Sequence, residues 1–390
     1  MKKVLILSLA YFPHVGGAEV AIREITSRIA PRDIEFHLLT LRFSRRELRR
    51  ERIGNVVVHR VGGGSSRLSK FFFQFRAALA ALRLHRRERF DLVWAVMAHS
   101  AGVPAALFKL SHPRVPYLLT LQEGDPPEAI ERTMRPLWPL FARAFTRADA
   151  VQAISTFLAD WARRRGFTGR LEVIGNGVDV ARFARRAPEP EVVAVRERLG
   201  KLAGDCYLVT TSRLVEKNAV DDVIRALALL PPEVSFIIYG VGPDEAKLKA
   251  LAKELGVEAR ARFMGQLSHE RLPLALAACD IFIRPSRSEG MGNSFIEAMA
   301  AGLPVIATQE GGIADFLFDA KRDPEKEPTG FAVDRDAPEQ IAAMVEYVRA
   351  HPDEAARTAE NAKQLVVERY DWDHIAARMQ ALFLDLCASS

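Results

Sequence analysis

Two glutamates, Glu289 and Glu297, stand on either side of the segment Gly290-Met291-Gly292-Asn293-Ser294. Glycines let a backbone approach a ligand closely. A helix expected to begin near Ser294 would turn its first free N–H groups toward that loop, where a phosphate is stabilised. Glu289 and Glu297 are not on one helix, so the loop can fold both toward a single ligand. Glu297 has a second reading, because Ser294-x-x-Glu297 is a capping box in which the carboxylate serves its own helix. Upstream, the apolar run Cys206–Ser212 delivers Arg213 and Lys217. Two cations at a strand end suit a diphosphate, Arg as a planar fork and Lys as a point charge. The alternative is a surface pair bonded to carboxylates such as Glu216.

The first half carries its own polar strand ends. Tyr117–Leu121 is apolar and stops in Gln122, Glu123, Gly124 and Asp125. This is either a solvated turn or the floor of a site, since open α/β sheets bind ligands beyond the carboxyl ends of their strands. Gly16 and Gly17, flanked by His14 and Glu19, lead from the first strand into a helix. Gly240-x-Gly242 lacks the third glycine of a dinucleotide fingerprint and reads better as a tight turn lining a nucleotide pocket. Asp-x-Asp patterns at 334–336 and 371–373 lie in polar segments near the chain's end and read as loop and capping residues. Metalloprotease, serine hydrolase and P-loop motifs are absent.

These residues need strands that end beside helices, and the chain supplies them. Short apolar runs at 4–9, 36–41, 56–61, 92–97, 117–121, 150–155 and 171–175 alternate with helical patterns. The second half repeats this at 206–212, 234–240, 261–265, 281–286 and 304–308. Such alternation predicts βαβ units and parallel sheets with right-handed crossovers. The Asn-Gly turn in 174–183 and the proline-interrupted stretch 185–191 mark a boundary. We expect an α/β protein of two doubly wound, Rossmann-like domains facing across a cleft.

The 390 residues, 49% hydrophobic and 27% charged, allow a large core in each domain. Three scattered cysteines, Cys206, Cys279 and Cys387, point to a reducing compartment and away from a structural zinc site. The start, MKKVLILSLA, reads as a buried first strand rather than a signal peptide. The net charge of +6 is uneven, with 15 basic and 5 acidic residues between Arg32 and Phe90. Within this region, residues 66–87 combine Phe71, Phe72, Phe73 and Phe75 with Lys70, Arg76, Arg83, Arg86 and Arg87. Bulky aromatics beside cations fit a helix lying on an anionic membrane surface; a core helix with a basic edge is the alternative. No recognised nucleic-acid-binding module accompanies the charge, so no nucleic-acid partner is expected.

Taken together, GGAE (16–19), AIS (153–155), GNGVD (175–179), SRLVEK (212–217), YGVGP (239–243) and SEGMGNSFIEAMAAGLPVIAT (288–308) resemble the family 4 glycosyltransferases of the GT-B fold. The resemblance implies an N-terminal acceptor-binding domain over 1–184 and a nucleotide-sugar-binding domain over 192–372, with the last helix, 373–390, crossing back to the first. It implies a retaining, metal-independent transferase acting on a UDP- or GDP-sugar as co-substrate, with a glycan or lipid-linked acceptor. A nucleotide-sugar epimerase or hydrolase on the same fold is the alternative. The expected location is cytoplasmic and peripheral, on the inner face of the cell membrane.

By the same resemblance, Arg213 and Lys217 hold the diphosphate, Glu289 the donor sugar and Glu297 the ribose. The backbone from Gly290 through Met291, Gly292 and Asn293 to Ser294 supports sugar and phosphate. Gly240 and the turn around Met264 line the base, and Gly16 and Gly17 close over the phosphates. Where many members place a histidine in the sugar pocket, this chain has Gln122, which cannot carry a proton near neutral pH. Glu123, Asp125 and His99 are expected to contact the acceptor. Asn218 replaces a glycine that commonly follows the lysine.

Overall fold

Leucine- and β-branched-rich runs with no polar face can only be satisfied when both faces of a sheet are covered. In the computed structural model, which describes residues 1–184 and 187–388, they form two parallel-rich sheets in two compact units, Met1–Asn176 with the C-terminal segment from Trp372, and Gly177–Asp371. The division falls at the Asn176–Gly177 turn. Of the expected linker, residues 185 and 186 lie outside the described residues, and Glu189 already begins a helix, Glu189–Arg198. Residues 389 and 390 of the expected last helix also lie outside them.

The first unit has eight strands: β1 (Lys2–Leu7), β2 (Ile34–Leu41), β3 (Arg50–Ile53), β4 (Val56–Val61), β5 (Leu92–Val96), β6 (Tyr117–Leu121), β7 (Ala150–Ala153) and β8 (Arg170–Val173). Their order is β3-β4-β2-β1-β5-β6-β7-β8, and all neighbours are parallel except β3 and β4. A buried polar ladder fixes the register at the middle of this sheet. Trp94 Nε1 donates to Thr120 Oγ1 at 2.7 Å, Thr120 donates to Gln152 Oε1 at 2.7 Å, and Gln152 Nε2 donates to the Ile174 carbonyl.

The helix Gly17–Arg28 lays Ala18, Ala21, Ile22 and Ile25 on this sheet. The C-terminal helix, Trp372–Ala388, adds Trp372, Ile375, Met379, Leu382, Phe383 and Leu386 to the same core as Val4, Ile6 and Trp94. Phe383 lies 5.0 Å from Trp94 and 6.1 Å from Phe36, ring centre to ring centre.

The helix Arg67–Glu88 is apolar on two sides. Phe73, Ala77, Ala78 and Ala81 face inward, while Leu68, Phe71, Phe72, Phe75 and Leu79 are 40–69% exposed. Ser66 caps its start by accepting from the Ser69 N–H. No helix among the described residues is long and apolar enough to cross a membrane.

The second unit has six strands, all parallel: β9 (Cys206–Thr211), β10 (Val234–Tyr239), β11 (Ala261–Gly265), β12 (Ile281–Arg284), β13 (Val305–Ala307) and β14 (Phe331–Ala332). Their order is β11-β10-β9-β12-β13-β14, so the winding reverses between β9 and β12. In the first unit it reverses between β1 and β5. Such reversals leave a crevice at the carboxyl ends of the strands.

Candidate functional site

In the second unit, β9 and β12 end at that reversal in the loops that carry Arg213, Lys217 and Glu289. Arg213 is exposed and Lys217 half-buried. Their loop is closed from within, because the buried Asn218 donates from Nδ2 to the Arg213 carbonyl at 2.7 Å. Ala219, at φ 52°, then turns the chain into the helix Val220–Leu229. Among the described residues Glu216 pairs with neither cation; its carbonyl instead accepts from Arg287 Nη1 at 2.7 Å.

Arg287 ties the two loops together. Its N–H donates to the Lys217 carbonyl at 2.7 Å. Its guanidinium binds Asp221 at 2.9 Å, Asp222 at 2.8 Å and Asp336 at 2.5 Å. Burial and the neighbouring Asp221 push the Asp222 carboxyl up to about 6, against the pull of Arg287.

Glu289 is held by a second arginine. Arg284, buried at the end of β12, donates from Nη2 to Glu289 Oε2 at 2.8 Å, from Nη1 to Ser294 Oγ at 2.6 Å and from Nε to Ser286 Oγ at 3.1 Å. Its guanidinium stacks 4.1 Å from the centre of the Phe295 ring. The other Glu289 oxygen, Oε1, accepts from the Gly290 N–H at 3.2 Å. Gly292 is at φ 88°, and a Cβ there would lie 2.5 Å from the Phe295 ring and 2.8 Å from Arg284 Nη2. Only glycine fits this corner. The helix Asn293–Ala300 starts immediately after it, so its N-terminus, the positive end of its dipole, lies at the loop.

Ser294 is therefore inside the helix, and its hydroxyl is bound to Arg284, so the capping-box reading of Glu297 does not hold. The Glu297 side chain is 13% exposed and lies 3.6 Å from His269 Nδ1. Burial pushes its carboxyl up to about 7, with Arg284 and Arg182 opposing. Met291 is buried, whereas Met264, at the end of β11, is 42% exposed. Gly240 serves close packing: a Cβ there would fall 1.8 Å from the Ser212 carbonyl oxygen. Volume and chemistry part company in this unit. A cavity of about 740 Å3 lies at the amino ends of the strands, beside Cys206, Ile281 and Pro304, away from these residues. The charged side chains and the helix N-terminus lie instead beyond the carboxyl ends of the strands.

In the first unit, β1 leads to Gly16 and Gly17, both exposed, with the Gly16 N–H donating to Glu19 Oε2 at 2.7 Å. β5 is followed by Met97, whose φ of 72° is a costly conformation for a side-chain-bearing residue. It opens a π-helical turn, Ala98–Gly102, that presents His99. β6 delivers Gln122, which is buried. Its Nε2 donates to Asn176 Oδ1 at 3.2 Å, and its Oε1 has no hydrogen-bond partner among the described residues.

Glu123 was expected to meet an acceptor. Its carboxylate is instead fully buried, with Oε1 accepting from the Ala98 N–H at 2.6 Å and Oε2 from the Gln122 N–H at 3.0 Å. It holds the turns after β5 and β6 together, and His99 Nδ1 stands 3.4 Å from it. Asp125 is exposed.

Residues 15–182 match the family model described as Glycosyltransferase Family 4, and residues 194–365 the model described as Glycosyl transferases group 1. The chain belongs to the family 4 glycosyltransferases of the GT-B fold. A similar curated protein is the GDP-mannose-dependent alpha-(1-6)-phosphatidylinositol monomannoside mannosyltransferase of Mycolicibacterium smegmatis, 32% identical over 260 residues. That match takes in 63% of this chain and 65% of the relative's length.

Among solved structures, the sucrose-phosphate synthase of Thermosynechococcus elongatus superposes with a TM-score of 0.83 at 19% identity, covering 100% of both chains. Anabaena HepE, in complex with UDP and glucose, gives 0.79 at 22% identity, covering 99% of this chain and 100% of that one. At these identities the likeness concerns the GT-B fold.

Against this family pattern, the two residues that organise the second unit's loops, Arg284 and Arg287, escaped the motif-based reading. Arg284 had a detectable signal. An arginine ending the buried run Ile281-Phe282-Ile283 must be paired, because an isolated buried charge is too costly to keep. Arg287 stands in a polar stretch and had none.

Proposed function

We propose that this chain is a retaining glycosyltransferase. It moves a sugar from a UDP- or GDP-sugar to a sugar-containing or lipid-linked acceptor. The observation that carries this reading is the second unit's set of residues: Arg213 and Lys217 at one strand end, Glu289 and a helix N-terminus at the next, stapled together by Arg287. Sugar–phosphate cleavage builds negative charge on the departing diphosphate. Two cations and the positive end of a helix, fixed in place beforehand, stabilise that charge without reorganisation.

Glu289, whose two oxygens are oriented by Arg284 and the Gly290 N–H, receives hydroxyls of the donor sugar. Glu297 accepts the ribose hydroxyls, Met264 contacts the base, and Gly16 and Gly17 leave room for phosphate. Gln122 Oε1, buried and unpartnered, accepts from a sugar hydroxyl. Because Gln122 cannot take a proton, the acceptor's proton goes to the departing phosphate as the new bond forms on the same face. Asp125 and His99 are the acceptor contacts on the first unit. The similar mycolicibacterial enzyme uses GDP-mannose and a phosphatidylinositol mannoside, which supports a nucleotide-sugar donor and a glycolipid acceptor here.

The exposed stripe Leu68–Leu79, with Lys70, Arg76 and Arg83 beside it, is proposed to rest on an anionic membrane surface. The transfer reading is tested with labelled UDP- and GDP-sugars and a panel of lipid and glycan acceptors. Transfer should depend on acceptor and fall at least about a hundredfold in Arg213→Ala and Glu289→Ala, the scale of losing a transition-state contact. Turnover without acceptor would instead mark a hydrolase or epimerase.

A further inference from the structure

On the first unit, the chain before β3, the turn after β4 and the helix Arg67–Glu88 line an open cavity of about 440 Å3. Arg49, Arg60, Arg76 and Arg83 line it, with Gly62 and Leu79. Four guanidinium groups converge on one space, and among the described residues one of them has counter-charge. Arg60 is buried and satisfied: it pairs with Glu51 and Glu47 and donates to the carbonyls of Leu48 at 3.1 Å and Phe12 at 2.7 Å.

Among the described residues no carboxylate or carbonyl takes the guanidinium groups of Arg49, Arg76 or Arg83. Arg76 leans over the turn, its Nη1 3.3 Å from where a Cβ on Gly62 would sit.

The cavity's other wall is apolar and leads outward. Leu79 is 52% exposed, and Phe75, Phe72 and Leu68 continue from it at helical spacing along the same side, 40%, 48% and 69% exposed. A ligand that satisfies both walls has a compact anionic head and an apolar body. A phosphate monoester carries between one and two negative charges near neutral pH and presents three acceptor oxygens. Guanidinium groups are the side chains best matched to it.

We propose that this cavity binds the phosphate headgroup of a membrane lipid, with the lipid's acyl chains beside the Leu68–Leu79 stripe. The proposal rests on the membrane contact inferred above and is independent of the transfer reaction.

The test uses the full-length protein and phosphatidylcholine vesicles carrying either phosphatidic acid or phosphatidylserine at matched surface charge. The wild-type protein should prefer phosphatidic acid by about tenfold, the worth of one additional charge-assisted contact. This comparison needs no variant. Arg76→Gln and Arg83→Gln, both at exposed positions, should abolish the preference. Arg87→Gln removes the same charge from the same helix outside the cavity, and should weaken binding to both vesicles equally. Phe72→Ser should weaken both while keeping the preference.

Equal binding of the wild-type protein to the two vesicles would leave only general charge attraction and overturn the headgroup site while sparing the membrane reading. Binding to neither would overturn both. Soluble glycerol 3-phosphate should compete only weakly. If it displaces the protein from vesicles as effectively as short-chain phosphatidic acid does, the site takes a free phosphate ester and the lipid assignment fails.

Discussion

Glu297 and Gln122 illustrate what single side chains contribute. With its carboxyl pushed up to about 7, Glu297 holds its proton in the folded state at pH values where the unfolded chain has lost it. Folding stability from this residue is therefore greatest below its ordinary carboxylate range and falls as the pH rises toward 7. Only the ionised form accepts two ribose hydroxyls. Nucleotide affinity, read by titration calorimetry, should weaken below pH 7 and approach about a tenfold loss per pH unit. Glu297→Gln should bind more weakly at pH 8 and lose this dependence.

Gln122 makes the opposite prediction. Gln122→Ala should lower kcat by roughly tenfold through one lost hydrogen bond, with the shape of the pH–rate profile unchanged. Gln122→His should add an ionisation near neutrality. Glu289, Arg213 and Gln122 were legible as candidate site residues because each stands where an apolar run ends. Glu123 stands in an equally polar sequence, yet its burial depends on two backbone N–H groups, one of them from a different strand end. Nothing in the local sequence announces that.

The elements that carry these residues are loops closed by their own side chains. Asn218 takes the place of a glycine and uses its amide to hold the Arg213 carbonyl; the next residue, Ala219, bears the left-handed conformation. Asn218→Ala would remove one of two hydrogen bonds to that carbonyl, which also accepts from the Val215 N–H at 3.0 Å, and cost about 1 kcal/mol, measurable by urea denaturation. If the loop's closure also sets the diphosphate contacts, KM for the donor should rise more than kcat falls. The strands themselves were legible from apolar runs, with two exceptions. β3, Arg50-Glu51-Arg52-Ile53, is an antiparallel edge strand with mostly polar side chains. β14 has two residues, Phe331 and Ala332, too short for any periodicity. The buried Trp94–Thr120–Gln152 ladder was likewise invisible, since polar residues in a strand do not reveal which neighbours they will face.

At the scale of the whole molecule, the chain leaves its first unit at Asn176 and returns to it at Trp372. The returning helix is part of that unit's core. Phe383→Ala should cost about 3–5 kcal/mol, the usual penalty for emptying a buried aromatic site, and chemical denaturation should show the loss in the transition of the first unit. The charge asymmetry is also a property at this scale. It was plain in the sequence, but only the structure separates Arg60, neutralised by Glu47 and Glu51, from Arg49, Arg76 and Arg83.

The position of the C-terminal helix bears on how this protein is made. Domains generally fold as units while synthesis proceeds from the amino terminus. Here the ribosome completes Gly177–Asp371 before it makes the residues that close the core around Val4, Ile6 and Trp94. The unit translated first is therefore the last to be finished. Its sheet waits on the ribosome with one apolar face only partly covered, by the helix Gly17–Arg28, and a stalled or clipped nascent chain would emerge as a folded second unit joined to an incomplete first one.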